Sequence, residues 1–131
     1  MKRVCAMMLL SLVFFSVFAV NNCLEFDGSN DYVSLTTSPA YTETFTIEAW
    51  IKTTSDLDAH DIVCWGYNGL SDNVQFRTSG GKLSFGTHPQ GGNWVSCQSS
   101  RAVNTGEWTH VAVVKNGVSV QLYVNGIADG S

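Results

Sequence analysis

The 131-residue chain has little charge and almost no proline: Asp, Glu, Lys and Arg together make up 14%, and Pro occurs twice. Low charge with 44% hydrophobic residues excludes an intrinsically disordered chain, which needs the opposite balance. Seven Lys and Arg against eleven Asp and Glu give a formal charge of −4 and leave no basic patch for nucleic acid. Twelve Gly without a repeat exclude collagen. Four Cys at these spacings match no zinc pattern. Four Trp, four Tyr and seven Phe, by contrast, are ample for the core of one small domain.

One long hydrophobic run is present, at the N-terminus. Met1-Lys2-Arg3 is a short basic start, Val4 to Val20 is almost wholly apolar, and Val17-Phe18-Ala19 offers a small residue for cleavage. This is the layout of a secretory signal peptide over residues 1–19, followed by a domain over 20–131. An uncleaved anchor helix and a lipid-modified Cys23 are the alternatives. The run is at the short edge of what spans a bilayer, and Val20-Asn21-Asn22 lacks the small residues a lipidated cysteine needs before it. Removing residues 1–19 takes away Lys2, Arg3 and Cys5, leaving 112 residues with a formal charge of −6. Cys23, Cys64 and Cys97 then remain in an oxidising compartment, where three thiols allow one bridge. Cys64–Cys97 is the expected pair, with Cys23 a small buried residue.

Beyond residue 20 the apolar period is two, not 3.6. Phe45, Ile47, Ala49 and Ile51 alternate with Thr46, Glu48, Trp50 and Lys52. Further strands are expected over Cys23–Phe26, Asp31–Leu35, Asp61–Gly66, Asn73–Thr78, Lys82–Thr87 and Asn93–Cys97. Turn signals separate them at Asp27-Gly28, Ser79-Gly80-Gly81 and Gly91-Gly92. The fold class is therefore all-β, an antiparallel sandwich or barrel. Trp108–Lys115 and Val118–Val124 flank Asn116-Gly117, which suits a type I′ turn. That turn would pair Lys115 with Val118, Val113 with Val120, Val111 with Leu122 and His110 with Tyr123. One face of this hairpin is then core and the other aromatic and polar, either a ligand platform or a surface for further strands. Asn125-Gly126 signals another turn with five residues left after it, so a C-terminally truncated module is expected, or one completed by a partner chain.

Three segments carry a family resemblance. Cys23-Leu24-Glu25-Phe26-Asp27-Gly28-Ser29-Asn30-Asp31-Tyr32-Val33 resembles the opening strand pair of concanavalin A-like jelly rolls of the laminin G type. Phe45-Thr46-Ile47-Glu48-Ala49-Trp50-Ile51-Lys52 resembles their next strand. Gly106-Glu107-Trp108-Thr109-His110-Val111-Ala112, followed by Leu122-Tyr123-Val124-Asn125-Gly126, resembles their late hairpin. The matches come in the family's order. They imply a two-sheet antiparallel sandwich whose last strands lie beyond Ser131, of a kind that binds carbohydrate or extracellular protein, as do pentraxins and the accessory modules of secreted glycosidases.

Catalytic members of the wider superfamily carry Glu-x-Asp-x-x-Glu on one strand, because retaining hydrolysis needs two carboxylates about 5–5.5 Å apart. The nearest match here, Glu25-Phe26-Asp27-Gly28-Ser29-Asn30, ends in Asn30 and contains a Gly. No nucleophile-elbow serine is present either, so the expectation is a non-catalytic module. Asp72-Asn73 is similar to the pair that opens the pentraxin calcium site, and the resemblance thus implies a possible Ca2+ contact; as a turn the pair needs no metal. Asp27, Asn30 and Asp31 read as a hairpin turn, and Asp56, Asp58 and Asp61, with His60, as a solvated surface.

Sugar sites stack an aromatic ring on a pyranose and fix it with amides and carboxylates. Trp65, Tyr67, Asn68 and Trp94 are the candidates, being at strand ends beside glycine-rich loops. Trp50, Trp108, His110 and Tyr123 rank below them, because the family carries similar residues as framework. His60 and His88 read as loop residues. The function expected is secreted, non-catalytic recognition of glycan or extracellular protein. The alternatives are the sugar-binding appendage or remnant of a secreted glycosidase, and an adhesion unit of a larger protein.

Overall fold

A computed structural model describes residues 23–37, 42–66, 73–88 and 93–131. The signal-peptide reading of residues 1–19 lies outside them, as do Tyr67, Asn68 and Asp72. The chain divides into two units, residues 1–34 and 35–131.

In the first unit the described residues, 23–34, form no strand. This corrects the expected strands Cys23–Phe26 and Asp31–Leu35. Local hydrogen bonds take the backbone donors instead: Ser29 N donates to Asp27 Oδ1 at 2.8 Å and Asp27 N to Asp31 Oδ2 at 3.0 Å. Short Asx side chains compete with sheet ladders in this way. Leu24, Phe26, Tyr32 and Val33 are exposed, and so is Cys23, which is not the buried residue expected.

The second unit is a sandwich of two antiparallel four-stranded sheets. Its strands are β1 (Thr44–Ile51), β2 (His60–Trp65), β3 (Asn73–Ser79), β4 (Lys82–His88), β5 (Val95–Ala102), β6 (Thr109–Asn116), β7 (Ser119–Val124) and β8 (Ile127–Ala128). One sheet runs β1-β6-β7-β8 and the other β2-β3-β4-β5. The alternation read from the sequence sets which side chains meet between them. Val74, Phe76, Leu83, Phe85, Val103, Val111, Val113, Leu122 and Val124 form the buried core. They come mainly from the central strands of both sheets, where burial from both sides is greatest. Phe45 on β1 reaches across, with its ring 5.8 Å from that of Trp65 and 6.2 Å from that of Phe85.

Turn chemistry sets the registers. Gly80 and Gly81 both have positive φ and close β3 onto β4 with Ser79 opposite Lys82, a two-residue type I′ loop. The later hairpin is different from expectation. Asn116 pairs with Ser119, so Gly117 and Val118 are the loop, and only Gly117 (φ 60) is left-handed. Glycine at the first central position with an ordinary residue at the second is the type II′ pattern. The register is therefore displaced by two: Val113 faces Leu122, Val111 faces Val124, and Ala112 rather than His110 faces Tyr123. A displacement of two preserves every side chain's face, so the core residues remain core. Asn125 and Gly126 form a further loop with positive φ at both positions, and the short β8 follows it.

Lys115 lies on the inward row yet reaches the sandwich rim. Its Nζ donates to Gly117 O at 2.7 Å and Glu43 Oε2 at 3.1 Å. Asp129, after β8, ties one sheet to the other by accepting from Ser100 N at 3.0 Å and Arg101 N at 2.9 Å on β5. The Arg101 N–H holds the Asp129 carboxyl below the usual carboxylate range, opposed by partial burial and aided by Ser100 and the Arg101 guanidinium. A depressed native pKa contributes stability that is fully present above the unfolded value, about 3.9. That contribution is lost as pH falls through the native value. Asp129→Asn is therefore expected to lower the melting temperature at neutral pH and to flatten its fall between about pH 5 and 3. Thermal scans across that range check this; parallel curves for the two proteins would refute it.

Candidate functional site

The outward residues of the β2-β3-β4-β5 sheet are those alternating with its core. β4 shows the rule: Leu83, Phe85 and Thr87 are buried, so Lys82, Ser84, Gly86 and His88 face out. Strand pairing then gathers residues distant in sequence into rows. Asp61, Arg77, Ser84 and Gln98 form one, and Cys64, Gln75, Gly86 and Ser96 the next. Asn73 and His88 pair beyond them. A bulge at Ile62 keeps both Asp61 and Cys64 on this face.

Trp94 closes over the second row. A Cβ added at Gly86 would overlap Trp94 Cζ2, and would lie 2.7 Å from Cη2 and 2.9 Å from Cε2. The Cζ2 edge of the indole thus lies against the backbone of β4, in space that only glycine leaves free. It remains 44% exposed, so this edge packs on the sheet while much of the ring is open to solvent. Around it the face is polar, and Asp61 and Arg77 on it are paired. Arg77 Nε lies 2.9 Å from Asp61 Oδ1. Gln98 Nε2 donates to Ser79 O at 3.0 Å, leaving its carbonyl oxygen as an acceptor. His88 Nδ1 is buried without a hydrogen-bond partner among the described residues.

The residues nominated from sequence separate. Trp94 and Asn73 are on this face. Trp65 is not: it pairs with Val74 on the inward row and packs edge-on to Phe45, so it seals the core rather than offering a platform. The expected Cys64–Cys97 disulfide is absent, and both thiols are free. The two cysteines sit on opposite edge strands of one sheet with β3 and β4 between them. Three strand spacings of about 4.8 Å exceed the roughly 7 Å that a disulfide can bridge. They also point to opposite faces, since Cys97 shares the row of Phe85 and Phe76. Burial raises the Cys97 thiol pKa; at Cys64 part-burial does the same, reinforced by the charge and hydrogen bond of Asp61.

Of the Asp72-Asn73 pair, only Asn73 lies among the described residues. Asn73 opens β3, and its main-chain oxygen already accepts from Thr87 Oγ1 at 2.9 Å. Among the described residues no three His, Cys, Asp or Glu converge as a metal site. The Glu25 and Asp27 carboxylates lie outside any strand, and Asp27 caps its own turn. His60 and His88, expected in loops, instead begin β2 and end β4 and are half-buried; His60 Nε2 lies 3.3 Å from Ser55 Oγ.

A laminin G-type family model, described as the concanavalin A-like lectin/glucanase superfamily, matches residues 27–131. The chain belongs to that superfamily. Its two antiparallel sheets without a helix among the described residues are the sandwich the superfamily implies. Laminin G-type modules bind carbohydrate or protein and are generally non-catalytic. Comparison with curated proteins and with solved structures returns no match.

Gln75, Arg77, Ser84, Gly86 and Gln98 went unnominated in the sequence. Parity against Val74 and Phe76 marks the β3 residues as outward. Nothing local places them beside Trp94, because that depends on the strand order.

Proposed function

We propose that this laminin G-type module is a secreted, non-catalytic glycan-recognition domain that binds a neutral sugar chain across the outer face of the β2-β3-β4-β5 sheet. The observation that carries the reading is the Trp94 indole seated on Gly86. A ring held at its Cζ2 edge against backbone and otherwise largely open is preorganised to stack on the apolar face of a pyranose. Gln75, Ser84 and Gln98 around it carry the amides and hydroxyl that hydrogen-bond sugar hydroxyls. The Asp61–Arg77 pair cancels charge locally, which favours a neutral ligand over an acidic one. The basic start and apolar run of residues 1–20 support secretion.

A glycan array probed with the wild type and with Trp94→Ala, each with calcium and with a chelator, tests this. The wild type is expected to retain one class of neutral glycans, and Trp94→Ala to bind it about 30-fold more weakly, the loss of a ~2 kcal/mol anchor. Loss on chelation would assign Asp72 and Asn73 to a calcium contact. Glycan binding unaffected by Trp94→Ala, or a protein partner with no glycan bound, would overturn the reading.

A further inference from the structure

The opposite sheet bears a second aromatic surface. On β1 the inward row is Phe45, Ile47, Ala49 and Ile51, so Thr46, Glu48 and Trp50 face outward. Trp50 is 64% exposed. An indole so exposed contributes little to packing, which leaves its position unexplained by stability. It is nevertheless held. Its Cα partner on β6 is His110, and the two rings lie 5.3 Å apart at 59°. His110 is fixed in turn: Glu48 Oε2 lies 3.4 Å from its Nε2, and its backbone N–H donates to Asn125 Oδ1 at 3.0 Å. Beside this cluster Glu48, Ala112 and Tyr123 form one cross-strand row. Ala112 is small and 7% exposed, so the row is low in the middle, with a carboxylate at one end and a phenol at the other.

We infer that this face is a second glycan-binding surface, with Trp50 as the stacking ring and Glu48, His110 and Tyr123 as its hydrogen-bonding groups. An exposed ring braced from the side, with Glu48 on its own strand, His110 on the next and Tyr123 one strand further, has the composition of a sugar subsite. The surface is open rather than pocketed, which fits an extended chain more than a terminal residue. Polar Glu48 and His110 adjoin Trp50 directly, unlike the continuous apolar centre of a protein interface. The inference rests on the glycan reading of the Trp94 face and extends it. Two sites on opposite outer faces of one sandwich cannot engage the same stretch of sugar chain. One molecule therefore bridges two chains, and multivalent ligands are held far more tightly than single oligosaccharides.

The test uses the full secreted chain, with β-linked glucan, xylan and mannan as soluble polysaccharides and as short oligosaccharides. Calorimetry should give two oligosaccharides per wild-type chain and one for either Trp50→Ala or Trp94→Ala. Wild-type protein should raise the turbidity of the polysaccharide that it binds, and Trp50→Ala should abolish that cross-linking while retaining oligosaccharide affinity at the remaining site within about two-fold. Unchanged melting of Trp50→Ala shows that the loss is not unfolding. One oligosaccharide per wild-type chain, or cross-linking undiminished in Trp50→Ala, overturns the second site and leaves the Trp94 reading standing. Binding of none of these sugars overturns both.

Discussion

Phe85→Ala is expected to destabilise the domain by about 3–5 kcal/mol, the range for emptying a buried phenyl site. Phe85 has no exposed surface and faces Phe76 on one neighbouring strand and Cys97 on the other. Its ring also meets Phe45 from the opposite sheet at 6.2 Å, so it joins the two layers. The void would open in the middle of a core whose strands are paired on both sides, leaving little room for collapse. Since domains of this kind have roughly 5–15 kcal/mol in total, the variant would be marginal or unfolded at physiological temperature. Denaturant titration gives the value directly; a loss below about 1 kcal/mol would mean that Phe85 is not at the centre of the core.

The adjacent substitution should do the reverse. Gly86→Val places a branched side chain where the Trp94 indole now lies, so the ring must leave the sheet. The backbone has no objection, because Gly86 is in mid-strand and outside the left-handed region. Valine is a better strand former than glycine, so stability should hold or rise slightly. Sugar binding at this face should nevertheless fall about 30-fold, matching Trp94→Ala. Isothermal titration alongside a thermal melt reads both quantities. Undiminished affinity in Gly86→Val would show that the seated position of Trp94 is irrelevant to recognition. Two neighbouring residues would thus separate folding from binding, because successive side chains in a strand point to opposite faces.

That alternation was also the most legible part of the sequence. Phe45, Ile47, Ala49 and Ile51 are found facing the core as their spacing indicated, and β2, β3 and β4 match their expected limits within a residue or so. The late hairpin was read correctly as a hairpin but misplaced by one turn type. Asn116-Gly117 and Gly117-Val118 are both plausible two-residue loops, and the type II′ choice also lets Gly117 N donate to Glu43 O at 2.8 Å. The opening segment misled for another reason. Its apolar residues alternate, but Asp27 and Asp31 satisfy the local backbone themselves.

For the site, Trp94 was visible as an aromatic beside a glycine-rich loop, whereas Trp65 looked equivalent and is not. One residue of parity separates an inward seal from an outward platform, and a bulge at Ile62 resets that parity within β2. The cysteines show the same limit. Their number suggested a bridge, but only the order β2-β3-β4-β5 sets Cys64 and Cys97 on opposite edges and faces.

What the sequence determined alone was the all-β class, the inward residues of most strands and the tight turns at Gly80-Gly81 and Asn125-Gly126. These follow from interactions between residues a few positions apart: side-chain alternation, and φ > 0 at glycine and asparagine. The tertiary structure decided which strands are neighbours, and so which outward residues share a surface. Asp61, Arg77, Ser84 and Gln98 span 38 positions of chain yet form one row. Strand order is settled by the burial of two whole sheet faces against each other, a collective term that no short window of sequence contains.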